Sequence, residues 1–190
     1  MDFETYRQKI FKENKFSFYI LKFLIRFFPD KLSIFYDELK ERSSDVDFIM
    51  KIITALKASR NPLGVQTLEL IYSFSNDLIK LEVLKALNEI GELDKNFILS
   101  IVDKESFLLK KEALLVLSKD PEALKEASRS LLSVPSPWGK KNNYIIENIR
   151  LIQELRLKEA KDDLQILSKR PFFWNSKLRA KARQALDIIS

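Results

Sequence analysis

Cysteine and histidine are missing altogether, and glycine occurs only three times, at Gly64, Gly91 and Gly139. Without cysteine there is no disulfide scaffold, thiolate nucleophile or Cys-ligated zinc. Without histidine there is no Ser-His-Asp triad, imidazole base or 2-His-1-carboxylate metal site. Three scattered glycines exclude GxGxxG and the P-loop, both of which crowd glycines together so that backbone can approach phosphate. Only carboxylate chemistry passes this filter. The acidic candidates read as structure: Asp45 and Asp47 fall at a helix start, Asp162 and Asp163 diverge on one helix, and Glu89, Glu92 and Asp94 fit a solvated turn better than a cation site. The expectation is a non-enzyme with no metal and no cofactor.

The apolar run FSFYILKFLIRFF (16–28) holds Lys22 and Arg26 and is too short and too charged to span a bilayer. Its apolar arc covers nearly the whole circumference. That suits burial between helices better than lying on a membrane, which is the competing reading. The opening MDFETYRQKIFKEN carries Asp2, Glu4 and Glu13 where a secretory leader would be basic. A soluble, cytoplasmic setting is therefore expected.

What is present is helical periodicity. Leu78, Leu81, Leu84, Leu87 and Ile90 recur at three-residue spacing, and no stretch alternates with period two. The predicted class is all-α. The helices also repeat: KLEVLKALNEI (80–90) aligns with KKEALLVLSKD (110–120), and the frame extends to residues 48–58, 145–155 and 178–188. One apolar column runs through Leu56, Leu87, Leu117, Ile152 and Leu186, and a second through Ile52, Val83, Ala113, Asn148 and Ala182. Hairpins of 30 to 35 residues repeated in this way predict an α-solenoid. Asp120 with Pro121, and Asn61 with Pro62, have the order of an N-cap followed by a first-turn proline. Asp77 opens a further helix that Gly91 closes.

Lys80, Ala86, Leu87, Ile90 and Gly91 in one copy, and Arg179, Ala182, Ala185 and Leu186 in another, resemble the second helix of HEAT-like repeats. The resemblance covers residues 45–190. It implies a right-handed α-α superhelix of four to five hairpins, with residues 1–44 as an N-terminal helical cap and the whole chain as one domain. Members of this group serve mostly as binding scaffolds, their second helices lining a concave face. On that face would stand Lys51, Glu82, Glu112, Glu147 and Lys181, a mixed row whose three glutamates disfavour a polyanion.

Charge is uneven. Residues 138–190 carry 12 basic and 6 acidic side chains, against 8 and 6 in residues 1–40 and 13 and 15 in residues 41–137. Two turns stand out in the basic segment, SVPSPWGKKNN (133–143) and KRPFFWNSK (169–177). Each combines proline, tryptophan and lysine or arginine, and as equivalent turns of adjacent hairpins they should share an edge. Trp138, Lys140, Lys141, Arg170, Trp174 and Lys177 are then candidates for partner binding, with Glu82, Glu112 and Glu147 as a second face. A purely structural role fits too: the turns would fold back to seal the seam between helices, burying Phe172 and Phe173. Arg179 and Arg183 share an edge of a solvated helix, and Arg179 could also pair with a neighbouring repeat.

The expected function is a protein-binding scaffold or adaptor for an acidic partner or acidic segment. The alternative is a nucleic-acid-binding HEAT-like protein, since alkylpurine DNA glycosylases combine this architecture with basic charge and stacking aromatics. The glutamate row departs from that pattern.

Overall fold

A computed structural model describes residues 39–91, 94–133 and 141–190, together with Phe23, Arg26, Phe27 and Gly139. Most of the expected N-terminal cap, and Trp138 and Lys140, lie outside the described residues. The described chain is all-helical, as its periodicity predicts, and divides into two compact units, Met1–Asp94 and Lys95–Ser190.

The first unit contains α1 (Val46–Ser59), α2 (Val65–Phe74) and α3 (Asp77–Ile90), with α3 packed on both α1 and α2. Short polar side chains at the boundaries explain where these helices begin. Asp45 accepts the Phe48 N–H ahead of α1, and Asn76 accepts the Ile79 N–H ahead of α3. The cap of α3 is thus Asn76, one residue before the expected Asp77. Asn61 caps a single 3-10 turn, Pro62–Gly64, that leads into α2. Gly91 ends α3 at φ 86°, a left-handed conformation that glycine adopts without Cβ strain.

The second unit contains α4 (Lys95–Lys104), α5 (Phe107–Leu117), α6 (Pro121–Leu132), α7 (Asn142–Leu155), α8 (Lys161–Ser168) and α9 (Ser176–Ile189). Asp120 caps α6 through the Glu122 and Ala123 N–H groups, with Pro121 at the first helical position as expected. In this unit α4 lies on α5 and α6, α5 on α6 and α7, α6 on α7 and α8, and α9 on α7 and α8.

The two sequence columns are core. Leu56, Leu87, Leu117 and Ile152 are buried, as are Ile52, Val83, Ala113 and Ala182, while Leu186 is half-buried. Asn148, the polar member, is 3% exposed, and its Nδ2 donates to the carbonyl of Leu131 at 2.9 Å. It supplies a donor to a carbonyl in the last turn of α6, where no intrahelical N–H follows. Its polarity thus supplies a buried hydrogen bond that an aliphatic side chain at this position could not make.

Candidate functional site: an aromatic, basic loop

The loop between α8 and α9 is built from its backbone outward. Arg179, in the first turns of α9, points its Nη1 back to the carbonyls of Arg170 and Phe172 at 2.9 and 2.7 Å. Asn175 Nδ2 donates to the carbonyl of Pro171 at 2.6 Å. These three bonds hold Phe172 at φ 76° and ψ 143°, a region that a Cβ makes costly and that non-glycine residues seldom occupy.

The strained backbone turns two rings outward. Phe172 is 58% exposed and Phe173 81%. The sealing role predicted both to be buried; the structure exposes them, because the backbone bonds of Arg179 and Asn175 set the direction of the chain in place of apolar burial. Trp174 is half-buried and supports both rings. Phe172 stacks on it nearly parallel at 4.6 Å, and Phe173 meets it edge-on at 5.1 Å.

The second turn reaches the same place. Asn142, at the start of α7, donates through Nδ2 to the carbonyl of Trp174 at 3.0 Å and to Asn175 Oδ1 at 3.1 Å. Gly139 lies at φ 71°, where an added Cβ would come within 3.0 Å of both Asn142 Nδ2 and Trp174 Cδ1. Glycine is required there twice over, by the backbone and by the indole beside it. So the structure joins the two turns through Gly139, Asn142, Trp174 and Asn175.

Among the candidates, Lys141 is exposed in the N-cap position of α7, Lys177 is exposed at the start of α9, and Arg170 is half-exposed. Trp138 and Lys140 fall outside the described residues. Glu112 on α5 is half-buried and Glu147 on α7 is exposed. Glu82 belongs to the first unit, where it pairs with Lys85 along α3 at 2.7 Å.

A small open cavity lies beside the loop. Leu132 at the end of α6 and Ile166 and Leu167 on α8 give its apolar lining, with Arg129, Arg170 and Asp163 around it; its volume is about 170 Å³. Among the described residues, neither Arg129 nor Arg170 has a carboxylate within ion-pairing distance.

Several other charged groups have internal partners. Lys110 is 4% exposed, and its ammonium donates to the Tyr144 hydroxyl at 2.6 Å, joining α5 to α7. Lys80 stands over the Tyr72 ring at 4.9 Å. Lys80, Lys110 and Arg179 thus each brace a neighbouring element. Glu89 pairs with Lys57 at 2.7 Å, Glu92 lies outside the described residues, and among the described residues no group of three acidic side chains could hold a metal ion. Asp45 is held below the usual carboxylate range by the Phe48 N–H and then by Arg42. Burial, followed by the charge of Asp94, pushes Glu69 up.

Sequence reasoning found this loop by composition but missed its braces. The sequence offers Arg179 either a solvated face or a neighbouring repeat, and the structure directs it to backbone carbonyls of the adjoining loop; Asn142, Asn175 and Arg129 carry no signal beyond polarity. Among the described residues no helix is long and apolar enough to cross a membrane. No protein family model, curated protein or solved structure matches this chain.

Proposed function

We propose that this chain is a non-catalytic, protein-binding helical-repeat module of the HEAT-like kind. Its contact surface would be the aromatic, basic loop at residues 169–177. One observation carries the reading: Phe172 and Phe173 are held in solvent by a strained, hydrogen-bonded backbone. Two exposed phenylalanines cost solvation free energy, and a positive-φ phenylalanine costs about 1–3 kcal/mol more. A loop that only sealed a seam would turn these rings inward. Rings stacked on a half-buried indole, with Lys169, Arg170 and Lys177 close in sequence, have the composition of an interface hot spot. The repeat assignment is supported by the buried columns and by packing in which α4, α5 and α6 each lie on the next two helices within residues 95–190.

The same aromatic and cationic groups suit stacked nucleic-acid bases, which is the second reading. One experiment separates them. The chain is used to capture partners from lysate of its native source, beside a Phe172→Ser/Phe173→Ser variant of unchanged helix content, with and without nuclease. Proteins retained by wild type, lost with the variant and indifferent to nuclease are the expected result. Capture abolished by nuclease would replace this reading with nucleic-acid binding. Capture unaffected by the two serines would remove the loop from it.

A further inference from the structure

The cavity beside the loop has a chemistry of its own. Its apolar lining comes from Leu132, Ile166 and Leu167, and Ile166 is 64% exposed, so the apolar surface continues out of the cavity. A cavity of about 150 Å³ lined by aliphatic side chains accommodates a benzene. The volume here, about 170 Å³, therefore takes one leucine- or phenylalanine-sized side chain.

Arg129 and Arg170 belong to the same lining, and neither has an ion-pair partner among the described residues. Three other cations of this unit do have carboxylate partners: Lys95 pairs with Glu126, and Lys111 and Arg150 with Glu154. Arg129 lies in the last turn of α6, where its charge complements the helix dipole, but that leaves its planar fork of donors available. Arg170 follows α8 and also gives its carbonyl to Arg179, so its backbone is fixed and only its side chain is adjustable. Asp163, in the same lining, pairs with neither arginine.

We infer that this cavity docks an acidic linear segment of a partner protein, with one apolar side chain seated against Leu132, Ile166 and Leu167 and flanking carboxylates on Arg129 and Arg170. The inference rests on the protein-binding reading above and names the partner's chemistry. Charge complementarity selects the occupant: unpaired guanidiniums at a hydrophobic cavity favour carboxylates next to an apolar anchor, and the segment from residue 138 onward carries twice as many basic as acidic side chains. Arg170 connects the cavity to Phe172, two residues on, so the segment can continue onto the exposed rings.

The test uses three capped six-residue peptides: Leu-Phe between two pairs of glutamates, the same peptide with Ala-Ala at the centre, and the Leu-Phe peptide with lysines for glutamates. Binding is read by Trp174 emission in a Trp138→Phe background and by peptide anisotropy. The Leu-Phe acidic peptide should bind at least about tenfold more tightly than the Ala-Ala peptide, and the lysine peptide should not bind. An Arg129→Gln/Arg170→Gln variant should weaken binding about tenfold or more with helix content unchanged. Ile166→Asp should abolish the preference for Leu-Phe over Ala-Ala. Equal binding of the first two peptides, or indifference to the arginine variant, overturns the inference. So does binding of a twelve-residue oligothymidylate or of phosphatidylserine vesicles in place of the peptide. No peptide binding while capture from lysate still depends on Phe172 and Phe173 overturns the cavity assignment and leaves the loop reading standing. Loss of both removes the two together.

Discussion

Replacing Phe172 once by glycine and once by alanine isolates the backbone strain at the centre of the candidate surface. Both variants lose the stack on Trp174, worth about 0.5–1.5 kcal/mol, so that term cancels between them. What differs is the Cβ. At φ 76° and ψ 143° alanine keeps the penalty that phenylalanine carries, about 1–3 kcal/mol, and glycine does not. Against this, glycine has more freedom to lose on folding, a cost of about 0.4–1 kcal/mol relative to alanine. The balance leaves Phe172→Gly more stable than Phe172→Ala by about 1 kcal/mol, the reverse of the order seen where φ is negative. Equilibrium urea unfolding, followed by Trp174 emission in a Trp138→Phe background, reports on the unit that holds this loop. With a denaturant slope of about 2 kcal/mol/M the glycine midpoint should lie about 0.5 M above that of alanine. Equal midpoints, or a higher one for alanine, would refute the strain and with it the reason given for the outward phenylalanines.

Two further outcomes follow from buried and ionised groups. Asn148→Ala leaves the Leu131 carbonyl without its buried donor and should cost about 1–3 kcal/mol in the same unfolding assay; a neutral effect would mean that water replaces the amide. Glu69 is raised by burial and by Asp94, so its charged form is the disfavoured one in the fold, and its contribution to stability declines as pH rises above the ordinary Glu range. Glu69→Gln should accordingly stabilise the first unit at pH 7, with an advantage that shrinks as the pH falls toward about 4. An advantage independent of pH would assign the effect to packing.

Several features were legible in the chain before any coordinates. Apolar residues at three- and four-residue spacing can bury a continuous stripe only as helices, so the class followed from periodicity. The recurrence of Leu56, Leu87, Leu117 and Ile152 in one frame marked core positions, because a column repeated between units is one that each unit must bury. Caps at Asp45, Asn61 and Asp120 and the stop at Gly91 were readable for a local reason: their chemistry acts on N–H and C=O groups within a few residues. The absence of histidine and cysteine excluded whole chemistries without reference to shape.

Tertiary structure decided the rest, wherever a side chain answers to something distant in sequence. Asn148 looks like a defect in an apolar column until the end of α6 arrives to accept its hydrogen bond. Arg179 looks like one charge in a basic run until its guanidinium meets the carbonyls of Arg170 and Phe172. Composition alone would bury Phe172 and Phe173, since burying a phenylalanine is worth about 1.5–3 kcal/mol. Their exposure depends on backbone bonds from Asn175 and Arg179, and on Asn142 and Gly139 fitting against Trp174 from thirty-odd residues away. Hydrophobic pattern is a property of single residues and so can be read along a chain. The direction in which a loop presents them is a property of hydrogen bonds between segments, and those exist only once the segments have met.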